Sequence, residues 1–276
     1  MGESTITMER DERLTSTACE ARLLEPLPEN QQVMTLNERI LAENGVTLSR
    51  DSHILDFGCG RGRHVREYLA KGYRNVYGFD QQDCIDSKER LEAGRFRFAR
   101  DGRMAELPYP DAFFDFVYSY SVMEHVMDPE LALREIHRVL KPGGVSLHNF
   151  PSKWRPIEPH MFIPFGGAIQ SYGYMLFWAL LGVRNHFQKG LPAREVARRN
   201  HLYAQTGVNY LGGAELERLL SRIFEKYSYQ EVAFLKHSCG NAHMLYGLVK
   251  ALPPLRRIFR FAHTRMVLLE KAGTTA

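Results

Sequence analysis

The segment from Ile54 to His64, ILDFGCGRGRH, constrains the fold of this chain more than any other feature. Ile54 and Leu55 are typical of the end of a buried strand, and glycines at positions 58, 60 and 62 follow directly. A helical stretch, HVREYLAKG, begins at His64. A strand, a glycine turn and a helix in succession let the backbone approach a nucleotide-like ligand closely. We therefore predict a ligand site around this turn.

The spacing of the glycines argues against a nicotinamide dinucleotide as the ligand. The G-x-G-x-x-G fingerprint requires a third glycine at position 63, where this chain has Arg63. Asp56 stands two residues before Gly58, and a carboxylate at that position is suited to hold an ammonium group. NAD lacks such a group, whereas S-adenosylmethionine (SAM) carries one. Cys59 lies inside the turn, where a small residue fits the packing.

Four motifs follow one another over about 100 residues of the chain. They are Ile54–Gly62, VYGFD at Val76–Asp80, LPYPDAFFDFVYSYSVMEHV at Leu107–Val126 and LREIHRVLKPGGVSLHNF at Leu133–Phe150. Asp80 follows Gly60 by 20 positions, close to the spacing expected for an acid that binds ribose hydroxyls. In this order the motifs resemble the class I SAM-dependent methyltransferases, most closely their type 11 small-molecule branch. The resemblance implies that SAM donates a methyl group and leaves as S-adenosylhomocysteine.

The alternation of strand and helix from His53 to Phe150 predicts a parallel sheet covered by helices on both faces. The resemblance implies an α/β, Rossmann-like three-layer sandwich with a mostly parallel seven-stranded sheet and an antiparallel last strand at Arg265–Ala272. We predict strand six at Tyr227–His237, and helical insertions after strand five and between strands six and seven. The predicted divisions are an N-terminal arm and helix (1–47), a SAM-binding core (48–150), a lid or acceptor-binding insertion (151–206), and the remainder of the core (207–276) with a second insertion near 240–264.

The resemblance also assigns residues to the SAM site. The loop residues are Asp56, Gly58, Cys59 and Gly60; Asp80, with Gln81 beside it, is assigned to the ribose; Asp101 and Gly102 are assigned to the adenine; Ser119 and Tyr120 are assigned to the methionine end. The stretch from Asp101 to Leu107 is longer than is common in the family, so the assignment of Asp101 and Gly102 stays open.

His125 and His160 are the candidate catalytic residues. Histidine is the commonest general base because its pKa lies near 7. The family carries the pair Glu124-His125 with very different acceptors, so a role in shaping the site is the alternative for His125. His160 lies in a proline-rich loop after strand five, and pinning that loop is its alternative role. His148, within strand five, is expected to be a core residue.

The sequence indicates only the class of the acceptor. The apolar stretch Tyr172–Val183 has 12 residues, too few to span a bilayer of ~30 Å, and Leu252–Arg265 alternates apolar and basic residues. Both favour a sizeable or partly apolar acceptor, a small molecule or a lipid-linked glycan, methylated on oxygen or carbon. The same pattern is compatible with lid packing, a homodimer or a peripheral contact with a membrane carrying anionic lipids.

Other functions and sites are weighed against this hypothesis. The basic residues around Arg198 and in Leu255–Arg265 motivate an RNA methyltransferase, but the net charge of +4 is small and Ser119-Tyr120-Ser121-Val122 replaces the motif of nucleobase methyltransferases. A non-catalytic SAM-fold binding protein is disfavoured because the glycines and Asp80 are intact. The four cysteines form no C-x-x-C motif, so we predict no metal site and a reduced, cytoplasmic protein.

Overall fold

Seven strands form one mixed sheet in the computed structural model, which describes residues 33–82, 94–99, 106–239 and 241–273. The strands are β1 (His53–Phe57), β2 (Asn75–Asp80), β3 (Phe96–Phe98), β4 (Phe114–Tyr120), β5 (Leu140–Pro151), β6 (Lys226–Tyr229) and β7 (Thr264–Glu270). Their order across the sheet is β3-β2-β1-β4-β5-β7-β6, with β7 antiparallel to both of its neighbours. The predicted fold class, a Rossmann-like and mostly parallel seven-stranded sheet, is confirmed.

Ten α-helices of the described residues flank or extend this sheet. They are α1 (Val33–Glu43), α2 (Arg63–Ala70), α3 (Pro129–Val139), α4 (Tyr172–Leu180), α5 (Ala193–Thr206), α6 (Gly213–Ile223), α7 (Glu231–His237), α8 (Asn241–Met244), α9 (Tyr246–Ala251) and α10 (Pro253–Ala262). The ends of these helices follow from local sequence. The Asp128 side chain accepts a hydrogen bond from the Leu131 amide at 3.0 Å and so caps α3, and Gly45, with a φ of 76°, follows α1.

The sheet is buried on both faces, which explains its apolar strands. Leu55 and Phe57 of β1 pack on one face in a cluster that includes residues of α3 and α6. Ile54 packs on the other face with residues of α1 and α2. The strands of a parallel sheet covered on both faces have continuous apolar sequences rather than alternating apolar and polar residues. The two clusters hold the carboxyl ends of β1, β2 and β4 in fixed positions.

The predicted sixth strand, Tyr227–His237, is wrong after Tyr229. β6 ends at Tyr229, and the following EVAFLKH sequence forms helix α7. Glu, Ala, Leu and Lys all favour a helix. Different sides of a helix can pack against different neighbours. Ala233 contacts the cluster beneath the sheet, while Leu235 packs in a separate cluster with Phe259 of α10. The apolar residues of this segment fit the spacing of a strand as well as that of a helix. Packing against two clusters selects the helix.

Residues 152–206 contribute no strand to the described sheet. Met175 and Ala179 of α4 are buried against Val196 of α5 in a cluster of their own. The outer side of α4 is apolar and exposed, with Phe177 at 53% and Leu180 at 69% exposure. None of the described helices combines the length and the apolar composition that crossing a membrane requires.

Arg138, at the end of α3, fixes the chain that leads into β4. Its guanidinium donates to the carbonyls of Leu107 and Tyr109, each at 2.9 Å, and pairs with Glu135 and Asp111, each at 2.7 Å. The hydrogen bonds that Arg138 donates to Glu135 and Asp111 raise the pKa of Arg138 above its usual value, so the charge persists. One side chain thus satisfies four groups of the Leu107–Asp111 segment and α3.

We expect Arg138→Ala to lower the free energy of unfolding by about 2–3 kcal/mol, because charge-assisted hydrogen bonds are lost and their acceptors stay behind. Arg134→Ala is the matched control, since Arg134 makes an exposed pair with Glu130 on the same helix. That variant should cost less than about 0.5 kcal/mol. Denaturant unfolding followed by circular dichroism measures both, and equal losses would refute the assignment.

Candidate functional site

The carboxyl ends of β1, β2 and β4 meet at one edge of the sheet. The three strands are parallel, and β2 lies on one side of β1 while β4 lies on the other. The order in which successive strands are added to the sheet therefore reverses between β1 and β4. Ligands of open α/β sheets bind in the crevice at such a switch point. The segments that follow these three strands are therefore the candidate site.

Two glycines of the loop after β1 serve different purposes. Gly58 has a φ of 84°, and a Cβ added to it would stand 2.3 Å from a methyl carbon of Val122. Gly60 has a φ of 51°, and apart from its two chain neighbours no described residue has an atom within 4 Å of the position of its absent Cβ. Gly58 is thus required by packing within the protein. The open space at Gly60 leaves room for a ligand next to its backbone.

Asp80 ties the loop to the end of β2. The Gly60 amide donates to Oδ2 of Asp80 at 2.7 Å, and the Gln82 amide donates to Oδ1 at 3.2 Å. The amides of Gly58 and Cys59 both donate to the carbonyl of Phe79, at 2.7 and 3.0 Å. The carboxylate is thereby held at the rim of the crevice with lone pairs left for further donors. Gln81 lies beside it on the surface.

Asp56 is a buried acid whose charge has no counterion among the described residues. It is 1% exposed, and its Oδ2 atom has no hydrogen-bond partner there. Burial, together with the neighbouring Asp80 and Glu67, raises the pKa of Asp56 to about 8, although the Tyr118 hydroxyl acts in the opposite direction. His64 lies 3.8 Å from Oδ2, but burial lowers its pKa to about 4. The imidazole is therefore neutral near pH 7 and does not compensate the carboxylate.

The end of β4 is fixed by two side-chain hydrogen bonds. Ser119 pairs with Nδ1 of His148 at 2.7 Å, and burial lowers the pKa of His148 to about 3, so this histidine is a neutral core residue. The Tyr120 hydroxyl donates to Asn37 of α1 at 3.0 Å. Both side chains are thus engaged within the protein. The backbone of Ser119 and Tyr120 pairs with β5 only, because the pairing of β4 with β1 ends at Tyr118.

Two residues predicted for the adenine, Asp101 and Gly102, lie outside the described residues.

Cys59 is buried in the loop, and its sulfur would stand 2.8 Å from a Cβ placed on Gly78 of β2. The close packing of loop against strand agrees with the small side chain at that position.

Glu124 and His125 lie in a short 3-10 helix, Met123–His125, directly after β4. Glu124 is 2% exposed, and neither carboxylate oxygen has a hydrogen-bond partner among the described residues. Burial raises the pKa of Glu124 to about 7. His125 places Nδ1 2.7 Å from the carbonyl oxygen of Gly207.

His160 reaches the same place from the segment after β5. Its Nδ1 lies 2.7 Å from Oε1 of Glu158, which also accepts a hydrogen bond from the Tyr210 hydroxyl at 2.6 Å. Burial alone would raise the pKa of Glu158, but the hydrogen bonds from His160, Tyr210 and the Met161 amide lower it below its usual value. Glu158 is therefore an anion that orients His160.

The structure brings the two candidate histidines together. The rings of His125 and His160 make a T-shaped contact with centroids 4.8 Å apart. Glu158 and Tyr210, which position His160, were not predicted from the sequence. Glu158 was visible as the acid two residues before His160, but no local signal marks Tyr210, which is 52 residues away from Glu158 in the chain.

A family model described as "Methyltransferase domain" matches residues 55–147, which include the glycine loop, Asp80 and the Glu124-His125 pair. Residues 55–147 belong to the class I SAM-dependent methyltransferases, in the type 11 branch. The match begins within β1 and ends within β5, so it includes the carboxyl ends of β1, β2 and β4, which meet at the candidate site.

Three relatives match part of the chain. "Probable S-adenosylmethionine-dependent methyltransferase" of Mycolicibacterium smegmatis is 37% identical over 36% of this chain and 38% of that protein. "O-methyltransferase cnsE" of Penicillium expansum is 31% identical over 40% and 42%, and "Sterol 24-C-methyltransferase erg6" of Aspergillus fumigatus is 32% identical over 41% and 31%. The chain thus spans between 31% and 42% of the length of these relatives.

We expect Asp56→Asn to stabilise the ligand-free protein, and increasingly so as the pH rises. Between its unfolded pKa of about 3.9 and its native pKa of about 8, the native Asp56 keeps a proton that the unfolded chain releases, so wild-type stability falls with pH in that window. The variant lacks this cost. Thermal melts at about pH 5.5 and about pH 8.5 measure the difference. A gap that stays constant or narrows at the higher pH would show that Asp56 ionises as freely as an exposed acid.

Proposed function

We infer that the protein is a SAM-dependent methyltransferase that moves a methyl group from SAM to an oxygen or carbon atom of a small-molecule or lipid-linked acceptor. The observation that carries this proposal is the convergence of the Gly60–Asp80 arrangement and the Glu124, His125 and His160 cluster at one switch point of the sheet. One side of the crevice suits the methyl donor, and the other offers groups that act on an acceptor.

The residues of the loop fit SAM. The orphaned Oδ2 of Asp56 suits the ammonium group, the open space at Gly60 admits the ligand beside the backbone, and Asp80 can accept from two ribose hydroxyls. The proposed site further includes Gly58, Cys59, Gln81, Asp101, Gly102, and the backbone of Ser119 and Tyr120. When bound, SAM supplies a methyl group that its positively charged sulfur has already activated.

The protein's task is then to align the acceptor and to receive its proton. His125 and His160 are the proposed catalytic residues, since Gly207 and Glu158 engage their Nδ1 atoms. No described residue hydrogen-bonds to either Nε2 atom. Because a carbonyl or carboxylate oxygen only accepts, each neutral ring carries its proton on Nδ1 and keeps a lone pair on Nε2. Two oriented imidazoles therefore stand where an acceptor hydroxyl would lose its proton.

The relatives' names support oxygen or carbon as the acceptor atom. One is named an O-methyltransferase and another a sterol 24-C-methyltransferase. The latter name also supports an apolar acceptor. Since these relatives match only part of the chain, the residues outside 55–147, above all 152–206, are the proposed determinants of acceptor choice.

We expect Gly60→Arg to abolish SAM binding, because the added side chain would fill the open space beside the loop. Asp80→Ala should weaken SAM binding by about 1–3 kcal/mol through lost hydrogen bonds to hydroxyls. Isothermal titration calorimetry with SAM and S-adenosylhomocysteine measures both effects.

Asp51→Ala is the control, because Asp51 is an exposed acid before β1, at the opposite end of the sheet. Its affinity for SAM should equal that of the wild type. Unchanged affinity for SAM in both Gly60→Arg and Asp80→Ala would refute the proposed SAM site. A folded Gly60→Arg protein, judged by circular dichroism, is required for the comparison.

An exposed apolar surface supports a lipid-linked acceptor or a peripheral membrane contact. Ile258 and Phe261 of α10 point outward with exposures of 57% and 54%, and the exposed Arg257 directly precedes Ile258. The Phe261 ring stacks on Trp154, with centroids 5.8 Å apart, so the segment after β5 continues this surface. Apolar residues beside basic ones suit a membrane face that carries anionic lipids.

We expect the protein to co-sediment with vesicles that contain anionic phosphatidylglycerol more than with neutral phosphatidylcholine vesicles. Phe261→Glu should reduce the bound fraction several-fold, because it removes apolar contact and adds repulsion. Leu202→Glu, a matched change at an exposed leucine of α5, should have no effect. No binding to either vesicle, with turnover only of small polar acceptors, would overturn the lipid part and leave the SAM assignment intact.

A further inference from the structure

Glu124, His125 and His160 form a cluster with the composition of a metal site. One candidate ligand atom of each residue lies within 4.8 Å of those of the other two. Two of the residues come from the loop after β4 and the third from the segment after β5, so two separate parts of the fold converge on one point. Two imidazoles and one carboxylate are a common ligand set of divalent transition metals in proteins.

Glu124 provides an observation independent of the spacing. Its side chain is 98% buried, since its exposure is 2%, and both carboxylate oxygens lack a hydrogen-bond partner among the described residues. Leaving a buried carboxyl without any partner is costly, and native proteins rarely do so. No arginine, lysine or histidine makes an ion pair with Glu124 in the described part of the chain. A ligand that is not part of the chain would satisfy this carboxylate.

The two histidines are oriented as metal ligands are. The Gly207 carbonyl holds Nδ1 of His125 at 2.7 Å, and the Glu158 carboxylate holds Nδ1 of His160 at 2.7 Å. Metal-binding histidines usually donate their other ring nitrogen to a carbonyl or carboxylate in this way, which fixes the tautomer and the ring plane. The Tyr210 hydroxyl, at 2.6 Å from Glu158, in turn fixes that carboxylate. The supporting hydrogen bonds of a metal site are thus already present.

The chemistry of the cluster suits a metal cation. Glu124 and Glu158 place two carboxyl groups in a mostly buried space. A divalent ion at the cluster would satisfy the unpartnered oxygens of Glu124. Oxygen-binding ions such as Mg²⁺ and Ca²⁺ seldom use imidazole, so the ligand set favours a transition metal.

We propose that Glu124, His125 and His160 bind one divalent transition-metal ion, of which Zn²⁺ is the best match to two imidazoles and a carboxylate. Ligand atoms around a tetrahedral zinc ion stand roughly 3.3 Å apart, so the cluster contracts by about 1–1.5 Å when the ion binds. Side-chain rotation of Glu124 and His160 is sufficient for a change of that size. The absence of C-x-x-C motifs predicted that the chain has no metal site. The proposed cluster contains no cysteine, so that signal does not bear on it.

The role of the ion rests on the proposed function and adds detail to it. Binding of the ion by the three side chains does not depend on that function. Three protein ligands leave at least one coordination position open, as in catalytic zinc sites. In the proposed methyltransferase that position faces the acceptor, so the ion would hold an acceptor oxygen and make its proton more acidic. With both Nε2 atoms on the ion, the histidines hold the ion rather than take the acceptor proton, which leaves to water. The acceptor class this favours is a hydroxyl-bearing molecule methylated on oxygen.

Metal binding is tested on the full chain after treatment with a chelator and desalting. Zn²⁺ is titrated in competition with a chromophoric chelator, and Co²⁺ is added separately to record its visible absorption. The wild type should take up one equivalent of Zn²⁺ and give the Co²⁺ spectrum of a four- or five-coordinate site. Uptake of no tightly bound Zn²⁺ by the wild type would overturn the proposal.

The variants are chosen to remove ligand atoms and keep the neighbouring hydrogen bonds. Glu124→Gln keeps the shape of the side chain without its charge. His125→Asn and His160→Asn keep an N–H donor near the position of Nδ1 and delete Nε2. Each should weaken Zn²⁺ binding on the order of 100-fold or more, and Glu158→Gln should weaken it on the order of 10–100-fold.

His186→Asn is the control, because His186 is an exposed histidine outside the cluster. Its Zn²⁺ affinity should equal that of the wild type, and equal Zn²⁺ affinity in Glu124→Gln would refute the site. SAM calorimetry on the metal-free wild type separates the two proposals. Binding of SAM without any Zn²⁺ site would reject the metal proposal alone, and a Zn²⁺ site in a chain that does not bind SAM would reject the proposed function alone.

Discussion

The hydrogen bond from the Gly60 amide to Asp80 is the constraint on which the rest of the site depends. At 2.7 Å it joins the loop after β1 to the end of β2, across 20 residues of chain. It holds the loop in a left-handed conformation at Gly60 and keeps the backbone beside open space rather than against a neighbour. Gly58 is locked differently, by the methyl groups of Val122. Since Val122 lies two residues before Glu124, the same loop is also tied to the Glu124-His125 pair.

The second half of the site is assembled by contacts between distant parts of the chain. His125 is held by the Gly207 carbonyl, and the Asn209 amide donates to the Glu124 carbonyl at 2.6 Å. His160 is held by Glu158, which Tyr210 holds in turn. The segment around Gly207–Tyr210 therefore connects the loop after β4 with the segment after β5. Acceptor choice can vary through such segments without a change in the strands that carry the SAM site.

The sequence predicts what is local and leaves undetermined what is assembled at long range. The loop glycines, Asp80 and the ends of β1, β2 and β4 follow from motifs within about 100 residues, because strand, turn and helix signals there agree. Glu231–His237 was misassigned, since its apolar residues fit either a strand or a helix and only packing against both Phe259 and the sheet selects the helix. The meeting of His125 with His160 could not be predicted, because nothing in the sequence shows how a proline-rich segment returns over the sheet.

Two buried acids flank the crevice, and neither has a counterion in the described chain. Burial raises the pKa of Asp56 to about 8 and that of Glu124 to about 7. Natural proteins keep such unsatisfied groups where a ligand supplies the missing partner, and they accept lower stability of the empty state in return. Asp56 precedes the glycine loop, where an ammonium group fits, and Glu124 lies next to two oriented imidazoles, where a metal ion fits. One acid comes from the end of β1 and the other from the segment after β4. Binding of an ammonium group or a metal ion would then satisfy an acid that the fold alone leaves without a partner, which couples occupancy of the site to the stability of the protein.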